Sequence, residues 1–104
     1  MSDLRWVEAQ LAKRSSGERS IHAVRCRDSE GYKGWLVLTD QRIWYFQEGV
    51  LGSSEEFDRD VKAELRRAPF GLNRAQLLLG REPFEMPIAD AEEFLSVLSE
   101  STGQ

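Results

Sequence analysis

One stretch constrains this chain more than any other: Gly34-Trp35-Leu36-Val37-Leu38-Thr39, a polar pair Asp40-Gln41, then Arg42-Ile43-Trp44-Tyr45-Phe46-Gln47. Two runs rich in β-branched and aromatic residues, parted by two polar ones, read as a β-hairpin. A two-residue turn sets the register. Thr39 then opposes Arg42, Leu38 opposes Ile43, Val37 opposes Trp44, Leu36 opposes Tyr45 and Trp35 opposes Phe46. One face carries Leu36, Leu38, Ile43 and Tyr45; the other carries Trp35, Val37, Trp44 and Phe46. The wall of a one-layer barrel keeps one face polar. A hairpin that is apolar on both faces must be covered on both.

The N-terminus supplies one candidate cover. Leu4, Val7 and Leu11 recur at helical spacing, with Trp6 beside them, capped by Ser2 or Asp3 and stopping near Ser15-Ser16-Gly17. Laid across the second face, that helix buries Trp35, Trp44 and Phe46. Left open, the same three rings form a surface for a partner or a second copy, because aromatic side chains dominate interface anchors. A mistaken register is the third possibility.

The rest of the chain is β-rich and then helical. Arg19 to Arg27 reads as a strand, followed by the turn cluster Asp28-Ser29-Glu30-Gly31. Gly49 to Ser54 reads as a loop and Glu55 to Asp58 as a short strand around Phe57. Val61, Ala63 and Leu65 alternate with Lys62, Glu64 and Arg66 as a half-exposed strand. Pro69 to Asn73 reads as a loop, Ala75 to Gly80 as a strand, and Phe84, Met86 and Ile88 as another, which Pro87 assigns to an edge. Asp90 with Glu93 opens a helix whose face is Ala91, Phe94, Val97 and Leu98, and residues 101–104 read as a frayed tail. The division is a helix over 1–16, one domain over 17–100 and a tail. The fold class is mainly β with a helix at each end.

The phrase running from Gly34 to Phe46, an apolar strand, Thr39-Asp40, a variable residue, Arg42 and a second apolar strand, resembles the hairpin of bacterial pleckstrin-homology-like (PH/GRAM-like) domains. Glu18 before the first strand, and Phe84-Glu85-Met86-Pro87-Ile88 leading into the last helix, are similar to that family too. The resemblance covers roughly residues 18 to 100. It implies a strongly bent, seven-stranded antiparallel barrel or sandwich, plugged at one end by Phe94, Val97 and Leu98. It also implies a non-catalytic binding or scaffolding module, whose ligands in the family vary among lipid headgroups, peptides and other copies of the domain.

Composition narrows the chemistry. The 104 residues hold one Cys and one His and carry a net charge of −4. That excludes an intramolecular disulfide, a thiolate zinc site and a multi-histidine metal cluster, and it disfavours nucleic acid as a partner. No unbroken apolar run follows the first residues, so a cytoplasmic protein with a reduced thiol and no signal peptide is expected. His22 and Cys26 read as structural residues, although Arg25 and Arg27 beside Cys26 leave room for a lowered thiol pKa. Glu55-Glu56-x-Asp58-x-Asp60 lacks the glycine and spacing of a calcium loop, and no Gly-Lys-Ser/Thr follows Gly49-Val50-Leu51-Gly52. No nucleophile–base–orienter set emerges, so no enzyme, cofactor or metal is expected.

Two charged features remain. Arg25, Arg27 and Lys33 gather near the first hairpin loop, where phosphoinositide-binding members of the resembled family carry Lys and Arg, but Asp28 and Glu30 share that loop. Residues 61–81 hold Lys62, Arg66, Arg67, Arg74 and Arg81 against Glu64, whereas residues 82–104 hold only acids. The expected function is therefore protein–protein interaction or self-association through Trp35, Trp44 and Phe46, with a Lys62/Arg66 edge second. A membrane-surface module using Arg25, Arg27 and Lys33 is the alternative, possible but not favoured.

Overall fold

Residues 2–49, 53–67 and 73–102 are described by a computed structural model. Helix α1 (Ser2–Arg14) comes first. Seven strands follow: β1 (Ser20–Arg27), β2 (Lys33–Thr39), β3 (Arg42–Gln47), β4 (Ser54–Asp58), β5 (Ala63–Arg67), β6 (Arg74–Leu79) and β7 (Glu82–Pro87). Helix α2 (Ile88–Thr102) ends the chain. The expected loops at 49–54 and 69–73, the Gly49–Gly52 stretch and the tail fall partly or wholly on residues 50–52, 68–72 and 103–104, outside the described ones.

All strand pairs are antiparallel, in the order β4-β3-β2-β1-β7-β6-β5. The β2–β3 ladder pairs Leu38 with Ile43, Val37 with Trp44, Leu36 with Tyr45 and Trp35 with Phe46, as the turn length requires. The sheet does not close into a barrel, because β4 and β5 are its two edges. Two meanders, β1–β4 and β5–β7, join where β1 meets β7, and there the ladder pairs Arg27 with Glu85.

Each face of the hairpin is covered. Leu36, Leu38, Ile43 and Tyr45 lie in the larger core with Leu77, Phe84, Met86, and Phe94 and Leu98 of α2. Trp35, Val37, Trp44 and Phe46 form a second cluster with Val7 and Leu11 of α1. Burying such side chains is worth about 1.5–3 kcal/mol each, which is what holds a short, polar helix in place.

Several expectations need correction. Leu4 stays 57% exposed, because α1 turns only Val7 and Leu11 fully onto the sheet, with Trp6 at their margin. Strand β7 is interior rather than an edge. Pro87 is tolerated there because the ladder to β1 lies back at Glu85, so its missing N–H breaks no bond on that side. Helix α2 starts at Ile88, not Asp90, so Asp90 sits inside its first turn, where a carboxylate favours the helix dipole. Val61 belongs to the turn before β5, and α2 runs on to Thr102 through the start of the expected tail.

Candidate binding cleft

The Thr39-Asp40-x-Arg42 phrase builds a buried polar hub. Thr39 Oγ1 accepts the backbone N–H groups of Gln41 (3.0 Å) and Arg42 (2.9 Å), which closes the turn, and donates to Glu18 Oε2. Glu18 Oε2 also accepts from Trp44 Nε1 at 3.0 Å and lies 3.4 Å from Arg42 Nε. Asp40 Oδ1 accepts the Arg19 N–H at 3.1 Å, so the turn is tied to the segment entering β1. Burial pushes the Glu18 carboxyl up, but donors from Ser15, Thr39 and Trp44 and the Arg42 charge outweigh it and hold its pKa below the usual range. These residues are absorbed in joining the α1–β1 linker to the hairpin. Arg42 is further occupied by Glu56 at 2.7 Å and stacks 5.5 Å from the Trp44 ring centroid.

The aromatic face is equally engaged. Trp35, Trp44 and Phe46 are buried beneath α1, and Arg14 lies over the Phe46 ring at 5.2 Å while donating to Ser54 Oγ at 2.9 Å. Both indole N–H groups are satisfied, Trp44 by Glu18 and Trp35 by Glu48 Oε2 at 2.9 Å. The three rings read as an open docking surface are thus an internal joint between α1 and the sheet. The sequence pattern leaves both outcomes open because it carries no information on how the helix docks.

On the N-terminal side of Arg27 the strands β1 and β7 part, and the gap between β1 and the start of α2 is a cleft of about 540 Å³. Strands β1 and β2 contribute His22–Arg27, Lys33 and Trp35; β6, β7 and α2 contribute Arg74, Pro87, Asp90 and Glu93. Consecutive residues of β1, from both of its faces, line it, which happens when a cleft follows a strand's backbone edge. The cations are partly compensated. Arg25 Nη2 lies 2.9 Å from Glu48 Oε2 and its guanidinium 5.3 Å from the Trp35 ring centroid; Arg27 donates to Gly31 O at 3.1 Å; Arg74 Nε lies 3.4 Å from Glu85 Oε2. Arg25, Arg27 and Lys33, read from the sequence as one basic group, do line one cavity. Arg74, Asp90 and Glu93 were not read as part of it. They come from a distant stretch of chain, and only the tertiary fold brings them there.

The remaining candidates separate. Arg66 is exposed on β5, 3.3 Å from Glu64, and exposed Lys62 precedes that strand in the β4–β5 turn segment. His22 packs its ring 6.0 Å from that of Phe94, and its buried Nε2 has no hydrogen-bond partner among the described residues. Cys26 is buried in the larger core. Burial, then the Asp28 carboxylate, pushes its thiol up, opposite to the lowering the flanking arginines suggested. Alternation explains this, since Arg25 and Arg27 face solvent while Cys26 faces inward. The segment holding Glu55, Glu56, Asp58 and Asp60 is β4 and its turn, and among the described residues no group of three or more His, Cys, Asp or Glu is placed to hold a metal ion. Among those residues no helix is long and apolar enough to cross a membrane.

No protein-family model matches the chain, and no curated protein does. A solved structure does match: the C-terminal domain of an unknown protein from Leishmania infantum, with a TM-score of 0.65 over 94% of this chain and 97% of that one, at 12% identity. At that identity the likeness concerns the fold alone. The chain is a mainly β protein, seven antiparallel strands in an open, sandwich-like sheet with a helix at each end.

Proposed function

We propose that the chain is a non-catalytic binding module of the pleckstrin-homology-like kind, and that its cleft takes an extended acidic segment of a partner protein laid along β1. The observation that carries this reading is the run His22–Arg27 of β1, which lines the cleft and pairs with β7 at Arg27 and Glu85 alone among the described residues. An extended segment gains main-chain hydrogen bonds by adding to such an edge, and flanking pockets then select its side chains. Four cations, Arg25, Arg27, Lys33 and Arg74, against Asp90 and Glu93 favour an acidic segment. The seven strands and the plugging α2 support the family resemblance.

The test is a titration of the whole chain with short extended peptides alternating Glu or Asp with Val, followed through tryptophan fluorescence and amide exchange. Binding should slow exchange in β1 at His22–Cys26, and the pair Arg25→Glu with Arg27→Glu should weaken it roughly tenfold or more. Absence of binding across the acidic set, or binding that leaves β1 exchange unchanged, removes the reading. Because Arg25, Arg27 and Lys33 line the same cavity, an anionic lipid headgroup is the second reading. Pelleting with phosphatidylserine vesicles that is lost in the same variant, with no peptide bound, selects it.

A further inference from the structure

The sheet's two edge strands, β4 and β5, carry opposite charge among the described residues. On β4 the exposed residues are Glu55, Glu56 and Asp58; on β5 they are Glu64, Arg66 and Arg67, preceded by Lys62. Edge charges ordinarily prevent strands from adding to one another. Here they disfavour like additions: β4 on β4 sets carboxylate against carboxylate, and β5 on β5, although its register centred on Leu65 sets Glu64 against Arg66, brings together two edges that each carry Lys62, Arg66 and Arg67 against Glu64 alone. We propose that β4 of one copy pairs with β5 of the next, so that the molecule assembles head to tail into an extended sheet.

The faces select the register. Phe57 and Glu55 pair with Ile43 and Tyr45 and so lie on the side of the larger core; Leu65 and Arg67 pair with Leu77 and Ala75 and lie on the same side. An antiparallel junction that keeps this side continuous sets Phe57 against Leu65, Glu55 against Arg67 and Glu56 against Arg66, with Asp58 against Glu64 as the single like pair. Sliding by two residues loses it, since Glu56 then meets Glu64 or Phe57 meets Arg67. Sliding by one turns Phe57 to the opposite face. Opposite-charge pairs directly across two strands are favourable and like pairs unfavourable. The acidic edge is also crowded by like charge at one position. Burial and then the carboxylates of Glu82 and Asp28 push the Glu55 pKa up, and a guanidinium arriving opposite relieves that. Because the contacting edges differ, the junction is heterologous and yields rings or filaments rather than a closed two-fold dimer.

Sedimentation velocity of the whole chain over a concentration series tests this, in about 10 mM salt, where charges act over about 30 Å, and in about 1 M, where they act over about 3 Å. Assembly is expected at low salt and its loss at high salt. Glu55→Arg with Glu56→Arg makes both edges basic, and Arg66→Glu with Arg67→Glu makes both acidic. Each variant should associate at least roughly tenfold more weakly alone, and an equal mixture should recover assembly. Circular dichroism checks that each is folded. If either is not, Glu55→Gln with Glu56→Gln replaces the reversal and should also weaken assembly. A wild type that stays monomeric at low salt overturns the proposal, as does assembly that survives reversal or a folded mixture that fails to recover it. Arg25→Glu with Arg27→Glu should leave assembly unchanged; its loss there would move the contact to the cleft and overturn the edge junction.

Discussion

At the scale of single residues, the buried carboxylate of Glu18 decides how the chain answers acid. Its pKa is lowered in the folded state, so its contribution is complete above the unfolded value of about 4.3 and is lost as the pH falls through the folded one. Glu18→Gln should lower stability at neutral pH and flatten the acid limb of a stability–pH curve measured by urea denaturation. Glu55 has the opposite sign. Its raised pKa means that the ionised form opposes folding at neutral pH, so Glu55→Gln should raise Tm at pH 7, and the gain should fade as the pH falls through the raised pKa. Thr39→Val removes the hydroxyl that closes the turn and donates to Glu18, leaving buried groups unpaired, at a cost of about 1–3 kcal/mol in the same denaturation assay. Gly34 admits no side chain, because an added Cβ would stand 2.5 Å from Phe46 O and from the Tyr45 ring. Gly34→Ala should cost about 3 kcal/mol or more and lower Tm by scanning calorimetry. The Thr39-Asp40-x-Arg42 phrase is visible in the sequence, but its purpose is not. Its acceptor Glu18 lies 21 residues from Thr39, and no local pattern links the two.

At the scale of elements, α1 shows what pattern can and cannot deliver. The two-faced hairpin demands a cover, and the Val7/Leu11 spacing offers one, so the pairing of helix and face is legible. The rotation of the helix is not, and Leu4 stays in solvent because the stripe is shorter than its spacing suggests. Alone, a 13-residue helix of this polarity is marginal, so its stability comes from the sheet. Val7→Ala and Leu11→Ala should each cost about 2–3 kcal/mol, with a red shift of Trp emission as Trp35 and Trp44 meet water. Emission unchanged in both variants would mean that α1 is not the cover that keeps these rings dry. Strand β7 teaches the converse. A proline signals an edge only when both neighbours extend past it, and the early parting of β1 is a tertiary event that no strand pattern reports.

At the scale of the whole molecule, strand count, strand order along the chain and the capping helix follow from alternation and period, and the structure agrees. The open sheet and the cleft do not follow from them. Both depend on how far two strands remote in sequence stay together, which is set by the bend of each meander and the seating of α2. Arg25, Arg27 and Lys33 share a cavity because three strand positions are close in sequence, whereas Arg74, Asp90 and Glu93 reach it only through that bend.

The narrow seam between Arg27 and Glu85 also bears on how the molecule is made. Inside each meander, neighbouring strands are neighbours in sequence, so their ladders close short loops quickly. Joining the meanders closes most of the chain into one loop, and little strand pairing compensates for that entropy until α2 is in place. Folding should therefore proceed from the hairpins inward. Conservative truncations in β2 and β3 should slow refolding, while those at the seam and in α2, such as Phe94→Leu, should mainly speed unfolding in stopped-flow measurements. An enzyme-free, ligand-free measurement of rates thus reads the same geometry that opens the cleft.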